Sequence, residues 1–252
     1  MTTKRHTVKP GEHLSGIASR YGFPDYRPIW THSSNAQLRK KRKDPHVLYE
    51  GDVVTIPEAR PKTLPKPTGA VHRFRVKGAD LTLELRLVDI WDKPVANAFF
   101  AFREDSRDEQ GNVAAVIGED GQTNGEGRAS LAITHTSYEA ELRVFESKPL
   151  PDPIPPPPLL HKFDLFVGGL DPVCERSGLR ARLNNLGYFA GLTDGPHDRE
   201  QLRWAIEEFQ FDHEIVPQNG DLDDPKNKAK IKQTREKLVK AHGDGEPVSC
   251  TD

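Results

Sequence analysis

HTVKPGEHLSGIASRYGF (residues 6–23) and DPHVLYEGDVVTIPE (residues 44–58) bracket the first module of this 252-residue chain. His6 and Val8, alternating with Thr7 and Lys9, read as a short strand that ends at the turn dipeptide Pro10-Gly11. Leu14, Ile17, Ala18 and Tyr21 then recur at helical spacing, and Gly22 stops the run. A second helical stretch starts near Pro28-Ile29-Trp30, and Val53, Val54 and Ile56 close the unit as a strand before Pro57. The order these residues predict is strand, helix, helix, strand.

Outward from that module the pattern changes twice. Residues 57–69, PEARPKTLPKPTG, are rich in Pro and Lys and predict an extended, semi-rigid connector. LTLELRLVDIWDKPV (81–95) alternates apolar and polar residues, with Leu81, Leu83, Leu85 and Leu87 on one face. Asp92-Lys93-Pro94, Asp120-Gly121 and Asn124-Gly125-Glu126-Gly127 read as turns, and residues 98–102, 129–133 and 140–144 as further strands. Short strands with turns at that frequency predict a small antiparallel β-sandwich. His161–Val167 alternates again, so the Pro-rich run 148–160 reads as a long loop inside the sandwich, with the last strand at 161–168. From Asp171 the period becomes helical. Leu179, Leu183 and Leu186 share a face up to Gly187, and Asp198 with Gln201 resembles a capping pair. The helix opened there turns Leu202, Ile206 and Phe209 inward, and Asp224-Pro225 starts a third, Lys-rich helix through about Ala241. The fold class is therefore multidomain α+β: a βααβ module (1–58), a linker (59–69), a β-sandwich (70–170), a three-helix domain (171–242) and a polar tail (243–252).

Two of these modules resemble known families. Tyr49, Gly51-Asp52, Val54 and Ile56-Pro57, following the strand–Pro-Gly–helix opening, resemble the LysM module, which binds N-acetylglucosamine-containing glycans such as peptidoglycan and chitin. Leu179, Leu183, Leu186-Gly187-Tyr188, Asp194-Gly195, Phe209-Gln210 and Asn219-Gly220 resemble, in order, the three-helix peptidoglycan-binding domain often appended to wall hydrolases. LDPVCERSGLRARLNNLGYFAG (170–191), behind a LysM-like module and a sandwich, is similar to proteins found near type VI and related contractile injection systems.

The resemblances imply site residues. For the LysM family the glycan groove falls on Gly11, Glu12, His13 and Leu14 and on Pro45, His46, Val47, Leu48 and Tyr49. The family commonly carries Asp-Thr where this chain has Glu12-His13, which removes a helix-capping side chain. In the C-terminal domain a peptide-stem site falls on Tyr188, Asp194, Gly195 and Arg203; a purely structural use of Tyr188 and Asp194-Gly195 stands beside it. Trp30 reads as core, and the run Arg39–Lys43 as a solvated helix end. With no HExxH, CxxC or paired-His spacing, no metal, cofactor or catalytic residue is expected, and the reading is of a non-enzymatic binder.

Composition agrees with small modules. Hydrophobic residues make up 35% and charged residues 29%, and the net charge of −2 offers no global field for nucleic acid or an anionic membrane. No window approaches the roughly 20 apolar residues of a membrane span. Cys174 and Cys250 are too few for a disulfide framework; pairing between them stays open, with a reduced chain and an inert thiol at Cys174 the plainer expectation. The N-terminus lacks a Sec-type apolar core, so the expectation is synthesis in the bacterial cytoplasm and action at the wall or periplasm by non-Sec export. The expected partners are peptidoglycan or N-acetylglucosamine oligomers and spike or effector proteins of an injection apparatus. An adaptor with little sugar affinity is the alternative, and a wall hydrolase a remoter one. Two weak sites on one chain would gain about 10² to 10⁴ in avidity if both engage.

Overall fold

The computed structural model describes residues 3–59, 65, 68–69, 71, 81–107, 113–134, 137–147, 158–192, 199–244, 248 and 250. The predicted connector and Pro-rich loop fall largely outside these residues, as do Asp194, Gly195 and Asp198. The fold is mixed α+β with several antiparallel sheets. It divides into two compact units, one of Leu14–Ile29 with Pro57–Gly168, the other of Thr3–His13, Trp30–Ile56 and Gly169–Asp252.

In the first unit, α1 (Leu14–Arg20) buries Leu14, Ile17 and Ala18, the residues whose spacing predicts it. Phe23 N–H reaches back to the Ala18 carbonyl at 2.9 Å and Gly22 N–H to Ser19 at 2.9 Å, which closes the helix at Gly22. Six strands follow: β3 (Leu81–Arg86), β4 (Phe99–Arg107), β5 (Val113–Gln122), β6 (Arg128–Ile133), β7 (Ser137–Phe145) and β8 (Leu159–Phe166). They form a β3–β6 pair and a β5–β4–β7–β8 sheet. Phe100, Phe102, Leu131, Leu142 and Val144 make a shared apolar core between them, with Leu83, Leu85 and Leu87 packed against it. The alternation of β3 therefore does turn Leu83 and Leu85 toward the core. Strand β8 pairs with β7 from Glu139↔Phe166 to Phe145↔Leu159, so the chain after the prolines does rejoin the sheet, as a largely exposed edge.

One turn prediction is overturned. Asp120-Gly121 lies within β5, paired with Ala101 and Phe100. A Cβ at Gly121 would stand 2.8 Å from Phe100 Cζ, so glycine is there to admit an aromatic ring, not to bend the chain. Asn124 does form its predicted turn, its Oδ1 accepting Glu126 and Arg128 N–H groups at 2.9 Å each.

In the second unit, β1 (Lys4–Thr7) pairs antiparallel with β2 (Val53–Ile56), in the register His6↔Val54. Between them come α2 (Arg27–Trp30), which begins in the first unit, a 3-10 turn (Ser33–Asn35) and α3 (Ala36–Arg42). Asn35 is buried and clips this turn to β2, donating to the Thr55 carbonyl and accepting from Thr55 N–H at 2.8 Å each. The basic run is not simply solvated. Arg39 caps the Trp30 and His32 carbonyls, and Lys41 and Arg42 hold buried Asp52 at 2.9 and 2.5 Å.

Three helices complete this unit: α4 (Arg176–Asn185), α5 (Arg199–Asp212) and α6 (Lys228–His242). Leu179, Leu183, Leu202, Ile206, Phe209 and Leu238 fill their common core. Asp224 caps a 3-10 turn at Pro225–Asn227 ahead of α6, accepting Lys226 N–H at 2.9 Å. Arg182 is wholly buried and donates to Asp244 at 2.6 Å and to the Asp171 and Gly178 carbonyls. The expectation of an inert thiol at Cys174 is also overturned. Val248 packs on the helical core, and Cys174, just before α4, forms a disulfide with Cys250, their Cα atoms 5.4 Å apart.

Candidate functional site

Glu12 builds the turn that follows β1. Glu12 accepts Lys9 N–H at 2.9 Å and lies 2.7 Å from His6 Nε2, so its carboxylate closes the Pro10-Gly11 turn onto β1. Leu14, Val47 and Leu48 are buried, so these three contribute packing. His46 keeps an exposed edge, and its N–H donates to Asp44 at 2.7 Å; burial of the rest of the ring lowers its pKa, against an opposing pull from Asp44.

Tyr49 lines a groove. Asp52 fixes its backbone, accepting Tyr49 N–H at 3.0 Å, and the Arg42 guanidinium lies over its ring at 5.5 Å. The charge of Glu175 and burial raise the Tyr49 pKa, with the charge of Asp171 adding to the effect. Tyr49 thus stands at one wall of a groove of about 750 Å³ whose other walls come from α4, α5, the 220–223 loop and α6.

Five arginines (Arg176, Arg180, Arg199, Arg203 and Arg235) and three acids (Glu175, Asp221 and Asp223) line this groove. Arg176 is committed to Asp223 at 2.6 Å, and Arg180 to the Leu192 carbonyl at 3.0 Å. Arg199 and Arg203 are exposed, one helical turn apart on α5, and among the described residues neither side chain has an ion pair or hydrogen bond. Guanidinium forks in a half-enclosed cleft suit a carboxylate or phosphate, and Leu179, Leu202 and Ile206 give the floor apolar surface.

The Phe209-Gln210 and Asn219-Gly220 pairs shape this site. Gln210 is fully buried and accepts the Asn219 and Gly220 N–H groups at 3.2 and 3.1 Å, while donating to Thr234 Oγ1 at 3.2 Å. Gly220 then lies directly on Arg203, whose Cγ would be 2.7 Å from any Cβ at that position. Tyr188 is held otherwise, its ring edge-on to Phe209 at 5.4 Å and its hydroxyl donating to Asp212 at 2.9 Å.

Comparison with protein-family models, curated proteins and solved structures finds no match.

The structure thus brings Tyr49 and Arg203, from two separate candidate sets, to one groove, and adds Glu175, Arg176 and Arg199. Sequence reasoning missed Arg199. Its signal was the four-residue spacing to Arg203 beside the inward Leu202. Among the described residues no group of three or more His, Cys, Asp or Glu is arranged to hold a metal ion, and no helix is long and apolar enough to cross a membrane.

Proposed function

We propose that this protein binds peptidoglycan without cleaving it, through one composite groove that takes an N-acetylglucosamine-containing glycan together with its acidic peptide stem. The observation that carries the reading is the shared lining of Tyr49 with Arg199 and Arg203. An amphipathic aromatic ring offers a pyranose both an apolar face and a hydroxyl. Two uncommitted guanidiniums offer a stem carboxylate charge-assisted hydrogen bonds, each about 1.5–3 kcal/mol. LysM-like and peptidoglycan-binding-like sequence signatures in the two segments that meet here support the same ligand.

The likeness of residues 170–191 to proteins near contractile injection systems gives the binding a setting: anchoring or guiding such an apparatus at the wall. That segment supplies Glu175, Arg176 and Arg180 to the groove.

Co-sedimentation of the full chain with insoluble peptidoglycan tests the reading. Retention that falls at least tenfold in Arg199→Ala/Arg203→Ala is expected. No retention of the unaltered chain, or release of muropeptides during incubation, would overturn it.

A further inference from the structure

A different face of α5 has no role in that groove. Trp204, Glu207, Glu208 and Phe211 follow one another at i, i+3, i+4 and i+7, so they form a single stripe along the helix. The stripe lies opposite Leu202, Ala205, Ile206 and Phe209, which the core takes up. Trp204 is 55% exposed and Phe211 67%. Together with Gln218 the stripe lines an open depression of about 500 Å³.

The charges in this depression are uncompensated. Among the described residues neither the Glu207 nor the Glu208 carboxylate makes an ion pair or hydrogen bond, and Arg203, one turn before Glu207, forms no bridge to it. Two free carboxylates between two exposed aromatic rings select a cation with an apolar stem. Lys and Arg meet that description, laying methylenes on aromatic faces while the head group reaches the carboxylates. An anionic membrane surface is repelled by the same carboxylates.

We propose that the Trp204–Phe211 stripe is a second binding site, distinct from the peptidoglycan groove, that docks a basic segment of a partner protein in which Lys or Arg alternates with apolar residues. Charge complementarity selects this occupant, and the open shape of the depression suits an extended or helical segment. The site is independent of the glycan reading, since none of its residues lines the arginine groove.

The test uses the full chain and a 12-residue Lys/Leu peptide as probe, followed by titration calorimetry and Trp fluorescence at two salt concentrations. Saturable binding of the Lys/Leu peptide, weakened at least tenfold in Glu207→Gln/Glu208→Gln and in Trp204→Ala, is expected. The Glu/Leu counterpart should show no binding, and retention on peptidoglycan should be unchanged in Glu207→Gln/Glu208→Gln. Absence of saturable binding overturns the proposal, as does equal binding by the glutamine variant. A fluorescence response of Trp204 to N-acetylglucosamine oligomers or anionic vesicles in place of the peptide also overturns it.

Discussion

A Cβ on Gly169 would stand 2.9 Å from the Cα of Gly11. The turn after β1 and the segment leading into α4 therefore meet backbone to backbone, and Gly169 does so at φ +71°, where an L side chain is strained. Gly169→Ala should combine a left-handed backbone penalty of about 1–2 kcal/mol with that close contact. A lower thermal midpoint is expected, together with weaker peptidoglycan retention, because the contact lies in the same unit as Tyr49 and Arg203. A variant with unchanged midpoint and retention would show that this approach is dispensable.

Asp52 should give stability a specific acid dependence. Burial raises its pKa, but hydrogen bonds from Arg42 and Lys41 and from Tyr49 N–H outweigh burial and hold it below the usual carboxylate value. With the folded pKa depressed, the unfolded chain binds the proton more readily. The stabilisation is full above the unfolded value and is lost as pH falls through the folded one. Thermal melts of Asp52→Asn and the unaltered chain should differ at pH 7, and the difference should begin to shrink only below the unfolded Asp value of about 3.9, vanishing as pH falls through the lower folded one. Parallel curves across that range would contradict the assignment.

Gln210 holds the 219–220 turn with its carboxamide oxygen. Gln210→Leu keeps the volume but strands two backbone N–H groups, a loss of about 1–3 kcal/mol for each that stays buried and unpaired. Denaturant titration should show that loss, and Gln210→Glu, which keeps an acceptor, should recover part of it. Equal stability in the leucine variant would contradict the clamp.

The Cys174–Cys250 bridge spans 76 residues and ties the tail to the wall of the arginine groove. Loop closure of that size corresponds to roughly 4.5 kcal/mol of stabilisation in the chain-entropy view. Reduction, or Cys250→Ser, should lower the unfolding free energy by that order, lower the unfolding midpoint with it, and release the tail to proteolysis. Identical midpoints with and without reductant would contradict it.

Local signals were legible where one residue decides one feature. The spacing of Leu14, Ile17 and Ala18 gave α1, the leucines at 81–87 gave the core face of β3, and Asp224-Pro225 gave the start of the last helical segment. Gly121 misled because a glycine that admits Phe100 looks, in sequence, like a glycine that makes a turn. The disulfide was illegible because nothing near Cys250 signals that Val248 returns to the helical core. The groove itself was half legible. Tyr49 and Arg203 could be singled out one at a time, but their convergence depends on contacts between residues more than 150 positions apart, such as Gly11 with Gly169. Spacing along the chain carries no information on those.

Titration of the full chain with a soluble muropeptide that keeps its stem peptide tests the central claim most directly, namely that Tyr49 and Arg203 serve one groove. A single site per chain is expected, with Tyr49→Ala and Arg203→Ala each weakening that site at least tenfold and leaving no second one, the fold being checked by circular dichroism. Two sites per chain, or a full-affinity site surviving either substitution, would contradict it.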